Sequence, residues 1–276
     1  MKCMQRELLS ILPPKIRNQI TTEHLKELQE IRLRIGYPVI LILGKTVKRL
    51  SVSVSADDLN FCVNTASRYS PWKASTVRDG YLTAPGGHRI GLCGEILGEG
   101  IRNLSSLNIR VARDFPGIAG RIPLDGSVLI IGPPGSGKTT LLRDLIRRIS
   151  REQAVSIAVV DQRGEIFPRI DGQPCFEPGE MTDILSVQDK SEGINIVLRA
   201  MGPVWIALDE ITAESDCLGM VQAGWCGVRL IATAHAGSLA DLHRRPVYRP
   251  LIETKLFHTA VILRPDKSWY TERMWV

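Results

Sequence analysis

A chain of 276 residues has room for one large domain or two modest ones, and 44% apolar with 23% charged residues excludes a disordered or fibrous protein. No apolar run is longer than Val39–Leu43, far short of the roughly 18 residues of a membrane span, and none of the six cysteines forms a Cys-x-x-Cys pair, which excludes a zinc module and a disulfide framework. The net charge of +6 is uneven: residues 1–125 carry 18 Lys and Arg against 11 Asp and Glu, the remainder 17 against 18. A basic front half suits an anionic partner or a solvated surface. Early charges (Lys2, Arg6, Glu7) and the lack of an apolar leader core predict a cytoplasmic chain.

The first predicted element is a short helix ending at Pro13-Pro14, since a prolyl pair does not continue it. A second helix starts at Thr21 or Thr22 and carries Leu25, Leu28 and Ile31 or Arg32 at helical spacing. Ile31–Ile35 alternates apolar and basic residues, the period of a half-buried strand, and residues 38–43 and 47–54 form further strands split by Gly44-Lys45. Asp57-Asp58 caps a helix running towards Ser67, and Gly80–Glu95 reads as a hairpin folded at Gly86-Gly87. Together these elements predict a smaller N-terminal α+β domain over residues 1–122.

From residue 123 to 276 apolar strands alternate with helical patterns, the mark of an α/β domain with a parallel sheet. Runs at 128–131, 155–160, 204–208 and 228–233 suit strands buried on both faces. The helix after the first of them sets Leu141, Leu142, Leu145, Ile146 and Ile149 on one face and Arg143, Asp144, Arg147 and Arg148 on the other. Ile194, Val197, Leu198 and Met201 stripe a second helix, and residues 257–263 with 269–275 predict an edge hairpin.

Gly132-Pro133-Pro134-Gly135-Ser136-Gly137-Lys138-Thr139, followed by Thr140, matches G-x-x-x-x-G-K-[ST] between a strand and a helix. Glycines let backbone N–H groups turn around phosphate oxygens, the helix start adds partial positive charge, Lys138 reaches the outer phosphates, and Thr139 ligates Mg²⁺. ATP and Mg²⁺ are the expected ligands. Three more strands end in polar groups at the same edge: Asp161 to Glu165, Asp209-Glu210, and His235. Thr139 and Asp209 are the expected metal-holding residues, and Glu210 is expected to orient water or take its proton.

These residues resemble the type II and type IV secretion ATPase superfamily. Asp161 and Glu165 match its Asp box, Glu210 its second acidic motif, and Thr233-Ala234-His235-Ala236 its His box. The resemblance implies a RecA-like P-loop ATPase core, an N-terminal domain and a hexameric ring. It narrows to the stage III sporulation protein AA family through Glu30–Gly36 with Pro38-Val39, Pro85–Leu92, Ser105–Arg113 and Leu198–Met201. That family implies a motor serving a channel complex between mother cell and forespore, peripheral at the membrane through membrane-bound partners. Arg89, Arg110 and Arg113 lie in the segments that, by this resemblance, bring charge-neutralising arginines to the γ-phosphate.

Three positions depart from the family pattern: Gln162 stands where Glu is usual, Trp205 is bulky for a strand beside the nucleotide, and Trp225-Cys226 interrupts a small apolar stretch. Two other readings compete. A nucleic-acid motor needs aromatics interleaved with its basic residues, and only Phe61, Tyr69, Trp72 and Tyr81 are placed for it, so no nucleic acid is expected. A nucleotide-binding scaffold with little hydrolysis has Gln162 as its argument.

Overall fold

The computed structural model describes residues 2–67, 80–97, 100–170 and 172–275. Two compact units divide it: Met1–Asp114 with Pro168–Phe176, and Phe115–Phe167 with Glu177–Val276. The division falls before the expected boundary at 122/123. Segment 115–122 is held inside the second unit, where Asp144 accepts from Gly117 N and Ala119 N and Arg148 donates to the carbonyls of Ala119 and Ile122.

The first unit opens with α1 (Lys2–Ser10), α2 (Pro14–Arg17) and α3 (Thr22–Glu27), followed by β1 (Leu28–Arg34), β2 (Pro38–Leu43) and β3 (Thr46–Ser53). Next come α4 (Ala56–Ser67), β4 (Tyr81–Ala84), β5 (His88–Leu97) and β6 (Gly100–Arg110). The strands form one antiparallel sheet in the order β3-β2-β1-β6-β5-β4. Period-two alternation buries Ile31 and Leu33 while Arg32 and Arg34 stay exposed. Leu8, Ile16, Leu59 and Cys62 from the helices, with Ile11 from the turn after α1, complete that core.

Pro14 both follows the end of α1 and opens α2 at a position where its missing N–H costs nothing. The second helix is shorter than its spacing predicts: Thr21 caps it reciprocally with His24, but Leu28 is extended and enters β1. Sheet pairing with β2 and β6 outbids the helical periodicity of Leu28 and Ile31. The hairpin at Gly86-Gly87 forms as expected, through a 3-10 turn in which both glycines have φ near +80°. A side chain at Gly87 would press on Phe176 and Pro168, each 3.3 Å from an added Cβ. Of the aromatics weighed for stacking, Tyr69 and Trp72 lie outside the described residues.

The second unit contains β7 (Val128–Ile131), α5 (Lys138–Glu152), β8 (Ile157–Val160), β11 (Thr182–Leu185), α6 (Lys190–Met201) and β12 (Trp205–Leu208). It continues with α7 (Glu214–Trp225), β13 (Arg229–Ala234), α8 (Leu239–Arg244), α9 (Arg249–Glu253), β14 (Thr259–Leu263) and β15 (Trp269–Arg273). Between β8 and β11 the short hairpin β9 (Arg169–Ile170) and β10 (Gln173–Pro174) belongs to the first unit, a placement nothing in its sequence signals. The sheet order is β11-β8-β12-β13-β7-β14-β15, parallel except for the last strand. This is the α/β architecture expected from the buried apolar runs, and the last hairpin forms as expected.

Three local expectations are corrected. The polar face of α5 is buried: Arg143 donates to Ile166 O (2.6 Å) and Glu165 O (3.1 Å), and Arg147 to Glu177 O (2.9 Å) and Asp144 Oδ1 (3.1 Å). Loop carbonyls stand there instead of water, so amphipathicity alone misassigned that face. Met201 is exposed because α6 ends there at Gly202, whose φ of +53° turns the chain away. Trp205 begins β12, at the strand end opposite Asp209, so it does not crowd that edge; its indole donates to Gln153 Oε1 at 3.1 Å. Among the described residues no helix is long and apolar enough to cross a membrane.

Candidate active site

Parallel register aligns Val160, Leu208 and Ala232 on neighbouring strands, so their successors Asp161, Asp209 and Thr233 form a row at the carboxyl edge of the sheet. Beside that row β7 runs into the phosphate loop. Gly132 is required there: an added Cβ would lie 2.7 Å from Ser136 Oγ and 3.0 Å from Leu263 Cβ. Gly135 and Gly137 have φ of +73° and +101° and turn the chain into α5. Ser136 is 1% exposed, and its hydroxyl has no hydrogen-bond partner among the described residues. A buried hydroxyl in that condition suits an anionic oxygen docking in the loop.

Lys138 is buried, and its ammonium spends its donors on Gly132 O (2.9 Å), Pro133 O (3.0 Å) and His235 Nδ1 (3.2 Å). Burial pushes its pKa down, while the charges of Glu210 and Asp209 oppose the shift. Asp209 Oδ1 accepts from Thr233 Oγ1 (3.1 Å) and Glu210 N (2.9 Å), and Thr139 Oγ1 stands 3.5 Å from it. A hydroxyl and a carboxylate make an all-oxygen donor pair, the chemistry a hard divalent cation such as Mg²⁺ takes. Glu210 Oε1 lies 3.0 Å from His235 Nε2, and its Oε2 lies 3.8 Å from Arg163. Lys138, Thr139, Asp209, Glu210 and His235 are thus brought together.

Asp161 has a different position in the network. It is 1% exposed, and its two oxygens accept from the N–H groups of Glu165 (3.0 Å), Ile166 (3.1 Å) and Phe167 (3.0 Å). Burial raises its pKa, the three loop amides pull it down, and the charge of Asp209 adds to the rise. Glu165 joins through its main chain, its N–H on Asp161 and its carbonyl on Arg143. Gln162 donates its side-chain amide to Gln188 O, a bond the carboxylate usual at that position has no proton to make.

Sequence reasoning passed over several residues of this edge. Arg143 anchors the 165–166 loop, Arg163 faces Glu210, and the buried Tyr248 hydroxyl bonds the main chain of His235. The signal for Arg143 and Arg163 was their nearness to the phosphate loop and to Asp161; Tyr248 had none. In the first unit Arg89 and Arg110 are direct cross-strand partners on β5 and β6, and so share one sheet face. Arg89 stacks 4.0 Å above the Tyr81 ring, and Arg113 donates to Lys26 O at 2.8 Å.

The family described as "Sporulation stage III, protein AA" matches residues 2–271. Stage III sporulation protein AA of Bacillus subtilis (strain 168) is 36% identical over 91% of this chain and 88% of that protein. SEEDLING PLASTID DEVELOPMENT 1 of Arabidopsis thaliana is 28% identical over 88% of this chain but 35% of that protein. Among solved structures, the Legionella pneumophila ATPase DotB superposes with a TM-score of 0.60 at 16% identity, over 94% of this chain and 80% of DotB. The pilus retraction motor PilT with bound ADP gives 0.65 at 15% identity, over 87% and 75%. The fold is therefore that of the secretion ATPases, with its RecA-like P-loop core.

Proposed function

For a chain that belongs to the sporulation stage III, protein AA family, we propose ATP hydrolysis as the activity, driving movement in a membrane-associated channel or secretion-like complex between mother cell and forespore. The observation that carries this reading is the convergence of Lys138, Thr139, Asp209, Glu210 and His235 on one sheet edge. Phosphate oxygens entering the loop replace the Gly132 and Pro133 carbonyls as acceptors for Lys138 and meet the Ser136 hydroxyl. Mg²⁺, held by Thr139 and Asp209, supplies neutralisation of phosphate charge when bound.

Glu210 takes the proton of the attacking water. One water oxygen–phosphorus bond forms, the β–γ bridging bond breaks, and ADP leaves with the electron pair. His235 holds Glu210 in place through Oε1, and Lys138 and Arg163 offset developing charge. Asp161 acts by shaping the 165–167 loop. Arg110, whose cross-strand partner is Arg89, is the candidate charge-neutralising finger, and Arg113 belongs to the same unit. The working form is a homo-oligomer, a hexameric ring by family resemblance, placed in the cytoplasm and held at the membrane by partner proteins. The scaffold reading differs in its outcome at turnover, and Gln162, its argument, donates to the Gln188 carbonyl.

The test is Mg²⁺-dependent phosphate release by the full chain across a concentration series, beside Lys138→Ala. Turnover confined to the wild type and rising per subunit with concentration supports a motor with shared sites. Tight nucleotide binding without turnover in assembled protein sinks the hydrolytic reading.

A further inference from the structure

One buried cation in the second unit has no part in the chemistry above. Lys190 opens α6 and is 4% exposed. Its ammonium donates to the main-chain carbonyl of Glu210 and lies 3.5 Å from Asp216 Oδ2. Asp216 is 6% exposed, and the same oxygen accepts from Thr212 N (2.9 Å), Thr212 Oγ1 (3.3 Å) and Ala213 N (3.1 Å). Ile211, the remaining residue of this turn, donates its N–H to Thr233 O at 2.8 Å.

Stability does not account for this arrangement. A buried ion pair is commonly no more stable than an apolar pair of the same volume, because desolvation cancels attraction. A lysine in the first turn of a helix also sits against the positive end of the helix dipole. What the pair does secure is geometry: one ammonium reaches both the buried Glu210 carbonyl and the buried Asp216 carboxylate. We infer that Lys190 is a positioning residue: through the Glu210 carbonyl and Asp216 it locks the turn after β12, and so fixes the Glu210 carboxylate against His235. The inference rests on the hydrolytic reading only for its effect on turnover.

The experiment uses the full chain as wild type, Lys190→Arg, Lys190→Met and the double variant Lys190→Met/Asp216→Asn. Lys190→Met alone strands a buried carboxylate and risks unfolding. The double variant leaves no unpaired charge and keeps an amide oxygen for Thr212 and Ala213. Melting temperature, affinity for a fluorescent ADP analogue, Mg²⁺-dependent phosphate release and the imidazole ¹H–¹⁵N signals are measured. His235 is assigned by His235→Gln, and its shifted position is calibrated with Glu210→Ala.

In the folded double variant, kcat is expected to fall by about tenfold or more while nucleotide affinity stays within about threefold. The His235 imidazole signal is expected to move towards its place in Glu210→Ala, and Lys190→Arg to recover part of both effects. An unmoved His235 signal in the folded double variant overturns the inference, whatever the turnover does. A wild type without turnover defeats the hydrolytic reading, and the imidazole signal still decides the role of Lys190.

Discussion

His235 Nε2 lies 3.0 Å from Glu210 Oε1, so the imidazole stands between the candidate base and the phosphate loop. On its other side Nδ1 stands 3.2 Å from the Lys138 ammonium, which has only protons to offer. Nδ1 must therefore accept, and Nε2 carries the proton donated to Glu210. The imidazole thus links the phosphate-loop lysine to the candidate base. A phosphate that draws Lys138 away alters the partner of His235, and through it the setting of Glu210.

Replacing Glu210 with Gln keeps an oxygen for His235 but removes the proton acceptor. The kcat for ATP is expected to drop by about 10² to 10⁴, with nucleotide affinity little changed. Phosphate release and a fluorescent-nucleotide titration check it, and full turnover in the variant removes Glu210 from its assigned role.

His235→Ala breaks the link at its centre and leaves Lys138 with two acceptors, the Gly132 and Pro133 carbonyls. A loss of about tenfold or more in kcat is expected, with a smaller change in KM. Equal losses in affinity and turnover would instead mean that His235 serves binding alone.

Arg110→Ala is expected to lower turnover more than nucleotide affinity, because a finger acts on charge that develops in the transition state. Arg89, its cross-strand partner, provides a comparison on the same sheet face. Unchanged hydrolysis in Arg110→Ala defeats the finger assignment.

Asp161→Asn exchanges two acceptor oxygens for one while three loop amides still need partners. A loss of about 1–3 kcal/mol in the stability of the second unit is expected, measured by urea denaturation. A variant as stable as wild type contradicts the loop-shaping role.

Asp58 gives a pH-dependent case in the first unit. Burial opposes its charge, but the Lys15 ammonium and the donors of Ser55 outweigh burial and hold the carboxyl below its ordinary value of 3.8. The unfolded chain binds the proton first as pH falls, so the stabilisation is complete above the ordinary carboxylate range and lost as pH drops through the lowered folded value. Asp58→Ala is expected to cost about 1–3 kcal/mol at neutral pH, with the deficit against wild type closing as pH falls through and below the ordinary carboxylate range. A deficit that stays constant over that range contradicts the assignment.

Much of this protein is legible from local pattern. The phosphate loop, the buried strands at 128–131, 157–160 and 205–208, and the Arg32/Arg34 alternation follow from periodicity and from glycines at positive φ, properties a short segment carries by itself. The residues at the carboxyl edge were legible too, because parallel strands end in register and put their next residues in one row. Their partners were not. Whether Asp161 meets a ligand or three loop amides, whether Arg143 faces water or carbonyls, and which cation stands under Glu210 depend on segments distant in sequence. The hairpin at 168–176 joins the first unit for the same kind of reason. A side chain's period assigns it to a face, but strand order and loop return decide what occupies the space it faces, and in a buried site that neighbour sets its charge and its chemistry.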